Sequence, residues 1–196
     1  MSVRVRSVPI RPAFVFSLCT ALLPLWAQTP APSVARRKAP DFAFTQPEHG
    51  LQPLSRYQGK LVLLEFISTT CSHCSDAVAA ENRLQEEFGA KGFQALAVAI
   101  NPNASVLVDQ FASDHHLSFP SGWATRANAR SVLALSPADR FVVPQIVLID
   151  RQGNIAAQTA PQGDDDLRQE SVLRQRIANL LHVSNLQPQA SEGHVK

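Results

Sequence analysis

The stretch GKLVLLEFISTTCSHC, residues 59–74, decides how this chain is read. Leu61–Ile67 is apolar at every position but one, the pattern of a strand covered on both faces. Glu65 is the exception. Ser68, Thr69 and Thr70 end the strand, and the spacing that follows predicts a helix from Ser72 to about Phe88. Ala77, Ala80, Leu84 and Phe88 recur at helical intervals, with Glu81, Arg83, Glu86 and Glu87 expected on the opposite side. Cys71 then sits at a strand-to-helix junction, where unpaired backbone N–H groups and the positive helix end lower a thiol's pKa. His73 can add an imidazolium nearby. Cys74 lies one turn further on, close enough to attack a mixed disulfide formed by Cys71.

Working outward, Gly89 and Gly92 mark the helix exit, and Phe93–Ile100 is a second apolar strand. A strand, a crossover helix and a strand in that order form a βαβ unit with parallel pairing. Helices are predicted over Ala104–His115 and Arg126–Ala134. Phe141–Ile149 reads as a third strand interrupted by Pro144, and Asn154–Gln158 returns antiparallel to it after a turn at residues 150–153. A last amphipathic helix is expected from Asp164 to about Leu181, followed by a polar, frayed tail over 183–196. Upstream, Pro40–Phe44 alternates as a short edge strand would.

Arg4, Arg6 and Arg11 give the N-terminus a basic start, and residues 13–26 are mostly apolar and carry no charge. With Ala27 as a small residue at a cleavage point, residues 1–27 read as a secretory signal peptide. The apolar run is shorter than the roughly 20 residues that span a bilayer, although an uncleaved anchor is the alternative. Residues 28–39 read as a linker and residues 40–182 as the folded domain. Of three cysteines, Cys19 falls in the signal, leaving Cys71 and Cys74 for the exported protein. One vicinal pair is no disulfide scaffold, so it serves chemistry or metal. The balance of 18 Lys+Arg against 16 Asp+Glu gives no reason to expect nucleic acid as a partner.

Residues 59–66, the Cys71-Ser72-His73-Cys74 motif and the later FVVPQIVLID (141–150) resemble the thioredoxin superfamily. Within it, APDF at 39–42 and the extra helix after the second strand are similar to the exported TlpA/ResA-like and redoxin branch. The resemblance implies an α/β thioredoxin-like fold: a central mixed sheet flanked by helices, with an N-terminal extension and that inserted helix. It implies a Cys71–Cys74 redox disulfide and no other cofactor or metal. By position, Pro144 is expected to follow a cis bond and lie against the cysteines, so that Thr70, Ser72, Val143 and Pro144 border an extended partner segment. Glu65 falls where many thioredoxins bury an acid beneath the resolving cysteine, where it can exchange a proton with Cys74. His73 and Val143 resemble the oxidising DsbA-like members, whereas Thr70 stands where most relatives have Trp.

The implied activity is thiol–disulfide exchange with exported protein thiols, recharged by a membrane redox partner, in a protein monomeric by default. Architecture favours a reductase of the cytochrome c maturation type; His73 and Val143 lean toward a DsbA-like oxidase or isomerase. A peroxiredoxin loop resembles Pro-x-x-x-Thr-x-x-Cys, and Leu64 and Ser68 occupy its first two marked positions here. A copper or zinc carrier is the alternative from another class, yet His49, His115, His116 and His182 show no ligand-like pairing with the cysteines.

Overall fold

A computed structural model describes residues 37–163 and 166–185. The predicted signal, most of the linker and residues 186–196 lie outside them. In chain order the strands are β1 (Arg37–Lys38), β2 (Ala43–Gln46), β3 (Gly50–Pro53), β4 (Leu61–Ile67), β5 (Phe93–Ala99), β6 (Ser121–Trp123), β7 (Gln145–Ile149) and β8 (Asn154–Gln158). The helices are α1 (Ser72–Phe88), α2 (Ala104–Asp114), α3 (Arg126–Leu133) and α4 (Glu170–Asn185). Among the described residues these eight strands form one mixed sheet in the order β1-β8-β7-β4-β5-β6-β2-β3. β4 and β5 pair in parallel, as the βαβ reading requires, and β7 and β8 close antiparallel beside β4.

β4 is buried at all seven positions because it is central and covered on both faces. Strand alternation divides its side chains between two cores. Leu61, Leu63 and Ile67 pack with Cys74, Val78, Leu84 and Phe88 of α1 and with Leu173, Ile177 and Leu181 of α4. Val62, Leu64 and Phe66 pack with Ala129, Val132 and Leu133 of α3 and with Phe42 and Phe44. Phe66 meets Phe42 edge-on, with ring centroids 5.7 Å apart. Glu65 carries the parity of the first set and so faces α1.

Several elements depart from what the sequence pattern predicts. The buried side of α1 is Cys74, Val78, Glu81, Leu84 and Phe88, with Ala77 and Ala80 only half-buried. Glu81 therefore points into the core rather than away from it, because the stripe is rotated by the burial of Cys74 and Val78. The proline strand begins at Gln145, not Phe141. Residues 141–144 form no ladder: the Val142 amide donates to the Pro161 carbonyl at 3.0 Å, Arg126 donates to the Phe141 carbonyl at 2.7 Å and the Gln145 side chain to the Val142 carbonyl at 2.9 Å. The strand expected at Pro40–Phe44 starts at Ala43 and is no edge, since it pairs with both β3 and β6. Gly122 permits that pairing: a side chain there collides with the Thr45 carbonyl. Arg37 and Lys38, read as linker, pair with β8. The last helix starts at Glu170, after a separate 3-10 turn at Asp166–Arg168.

Candidate active site

Cys71 is the N-cap of α1, in extended conformation with φ −104° and ψ 117°, and is half-buried. The loop before it is fixed from β5's end: the Thr69 amide donates to Asn101 Oδ1 at 3.0 Å and Asn101 Nδ2 donates to Thr69 Oγ1 at 2.9 Å. Thr70, Ser72 and His73 are exposed around it. The bond between Val143 and Pro144 is cis, as the resemblance implied. The Cys71 thiol donates to the Val143 carbonyl across 3.9 Å, so the backbone before the proline lies against the first sulfur. His73 lines a groove with Asp76, Ala77, Ala80, Arg83, Pro144, Arg168 and Glu170. No hydrogen bond from His73 to either sulfur occurs among the described residues.

Cys74 differs sharply from its neighbour. It is fully buried, and burial pushes its thiol pKa up. A hydrogen bond to the Cys71 sulfur and the nearby Glu65 add to the rise, while a backbone contact at Ser68 opposes it. The geometry thus supplies one accessible sulfur and one sheltered thiol that keeps its proton until a base removes it.

Glu65 is the acid that acts on Cys74 from β4. It is 0% exposed on the α1 face of β4, and neither carboxyl oxygen finds a standing hydrogen-bond donor. Burial pushes its pKa well above the usual carboxylate range, the Arg168 guanidinium pulls it back, and Cys71 raises it further. Arg168 itself donates to the Pro144 carbonyl at 2.5 Å. Gly163, at φ +79°, leaves the guanidinium its space.

Sequence reading missed two members of this assembly, Glu81 and Arg168. Glu81 is 1% exposed, and burial first, then the proximity of Glu65, drives its carboxyl well above the usual range. Its signal was present: Glu81 is seven residues after Cys74 and so lies on the same helix stripe, two turns below. Arg168 comes from an irregular turn, where spacing carries no comparable information.

These raised carboxyl pKa values make the protein sensitive to pH. A carboxyl that holds its proton when folded and releases it on unfolding contributes stability that is complete below its ordinary value of about 4.5 and is lost as pH rises through the folded value. Replacing both acids together, Glu65→Leu with Glu81→Leu, is therefore expected to match wild type in Tm near pH 4 and to exceed it by about 4–8 °C at pH 8, corresponding to about 2 kcal/mol. Calorimetry across that range checks this; a variant whose Tm falls with pH as steeply as wild type contradicts it.

The described residues contain no helix long and apolar enough to cross a membrane and no cluster of three or more His, Cys, Asp or Glu side chains able to hold a metal.

A central mixed sheet with two cysteines at the N-terminus of its first crossover helix, facing a cis-proline, defines a thioredoxin-like fold. The chain belongs to the AhpC/TSA family, which it matches over residues 35–158. It is 29% identical over 117 residues to the thiol-disulfide oxidoreductase ResA of Geobacillus kaustophilus, covering 60% of this chain and 64% of that one. The chain thus spans less than two thirds of that relative. A Chlorobium tepidum structure solved as a candidate thiol:disulfide interchange protein DsbE superposes with a TM-score of 0.62 at 26% identity, covering 74% of this chain and 96% of the other. A secreted thiol-disulfide isomerase of Corynebacterium glutamicum shares the fold, with a TM-score of 0.63 at 19% identity over 75% of this chain and 87% of that one.

Proposed function

We propose that this protein is an exported thiol–disulfide oxidoreductase of the ResA/DsbE type, working as a reductase on protein disulfides outside the cytoplasm. The observation that carries the reading is the pairing of a half-exposed Cys71 against Val143 with a buried, proton-holding Cys74 beside Glu65. In the proposed cycle the Cys71 thiolate attacks one sulfur of a client disulfide. The client's other sulfur leaves with the electron pair and takes a proton from solvent. Cys74 then gives its proton to Glu65 and attacks the Cys71 sulfur. The Cys71–Cys74 disulfide forms, the second client sulfur departs as thiolate, and the client is reduced by two electrons.

Thr70, Ser72, Val143 and Pro144 surround the exposed sulfur and are the residues proposed to meet the client backbone. A membrane dithiol protein is the proposed source of electrons, and cytochrome c maturation the proposed setting. His73 and Val143 favour a second reading, a DsbA-like oxidase in which the same steps run in reverse.

Family membership alone leaves peroxide reduction as a rival, so the test sets the two substrates side by side. Reduced protein is expected to cleave the disulfides of a model protein in stoichiometric single turnover and to consume hydrogen peroxide slowly. Fast peroxide consumption with inert protein disulfides overturns the proposal.

A further inference from the structure

Glu65 and Glu81 reach one buried space from different elements, β4 and α1, and all four of their oxygens lack a standing donor. Ala97 and Ile146 flank Glu65 on the neighbouring strands and bring no polar group. The titratable and charged groups facing the pair are Cys71 and Cys74 at the start of α1 and Arg168 from the turn before α4. Both carboxyls are buried in the layer between β4 and α1, where each acts directly on the protonation of the other. Two carboxylates cannot bond, since both only accept; a bond between them requires one of the two to be protonated. A second negative charge in that space, with one guanidinium nearby, also carries a large desolvation cost.

We propose that Glu81 keeps its proton and donates it in a hydrogen bond to Glu65, positioning Glu65 as the carboxylate that receives the Cys74 proton. The inference rests on the dithiol reading above and adds a residue to it. The division of labour follows from environment. Arg168 acts on Glu65 and holds its pKa down, whereas no cation offsets the rise at Glu81, which meets Glu65 as a like charge. Glu65 therefore ionises first and Glu81 remains the acid. During resolution the Cys74 proton moves to Glu65, the Cys74 sulfur forms its bond to Cys71, and the departing thiolate leaves with the electron pair. Glu65 later returns its proton to water, and Glu81 is unchanged throughout. Because a donor to a carboxylate lowers its pKa, Glu81 keeps Glu65 ionised at a lower pH than it would be alone.

The experiment uses the full chain and an aromatic disulfide, dithiobis(nitrobenzoate). Attack by Cys71 releases one coloured thiolate, and attack by Cys74 on the resulting mixed disulfide releases a second. The second phase is followed against pH in wild type, Glu81→Leu, Glu81→Met and Glu81→Gln. Either apolar variant is expected to move the midpoint of the second phase up by about one pH unit, and to slow it about tenfold below both midpoints. The amide of Glu81→Gln still donates, so that variant is expected to stay within about threefold of wild type. The first phase should be unchanged in all three. A wild-type profile in the apolar variants, or a Glu81→Gln profile that matches theirs, overturns the proposal. Loss of both phases in wild type itself would instead overturn the dithiol reading.

Discussion

Cys71→Ser is expected to abolish disulfide exchange, lowering the rate at least about 10³-fold, because it removes the nucleophile itself. Cys74→Ser is expected to fail differently. Its Cys71 remains half-exposed beside the Val143 carbonyl and can still attack a client disulfide. Nothing then resolves the product, so a covalent adduct with the client accumulates and is seen as a mass shift on non-reducing gels. The asymmetry arises from burial: Cys74 is fully inside the core while its neighbour reaches the surface. If the Cys71→Ser protein traps the adduct and the Cys74→Ser protein does not, the assignment of roles is inverted.

Glu65→Gln should slow the resolving step about 10²-fold at neutral pH, the usual contribution of a positioned general base. Burial raises the Cys74 pKa, so without Glu65 the thiol has no internal acceptor and depends on hydroxide. The deficit is accordingly expected to shrink as pH rises, since hydroxide substitutes progressively for the missing base. The attack by Cys71 should be little affected. Stopped-flow measurement of the two phases separates these steps; an equal slowing of both phases, or a deficit independent of pH, contradicts the role given to Glu65.

Much of this site was legible before the fold was known. An apolar run with one acid, followed by C-x-x-C, placed Cys71 at the strand-to-helix junction, and β4 and α1 have the bounds that the pattern predicts. The resemblance placed Pro144 against the cysteines, where residues alone suggest only an interrupted strand; β7, antiparallel to β4, presents its start beside the start of α1.

What the pattern concealed was the rotation of α1. Ala77 and Ala80 look like core positions, but small residues suit a half-exposed face equally well, and Cys74 and Val78 are the ones that β4 buries. Once that stripe is set, Glu81 must go inward. A glutamate scores as surface in any reading that treats charge as exposure; here a protonated carboxyl is a neutral polar group whose burial another carboxyl offsets. Arg168 and the loop at residues 141–144 depend on long-range side-chain bonds to backbone carbonyls, which have no periodic signature.

In the proposed cycle Cys71 and Cys74 form a reversible two-electron couple in a protein that reduces its clients. Equilibrating the protein in a graded dithiol redox buffer and counting free thiols measures this directly. A single two-electron transition is expected, with a midpoint more negative than about −200 mV; a midpoint near about −120 mV, the value of a strong oxidant, or no transition at all, rules out a reductase working through this pair.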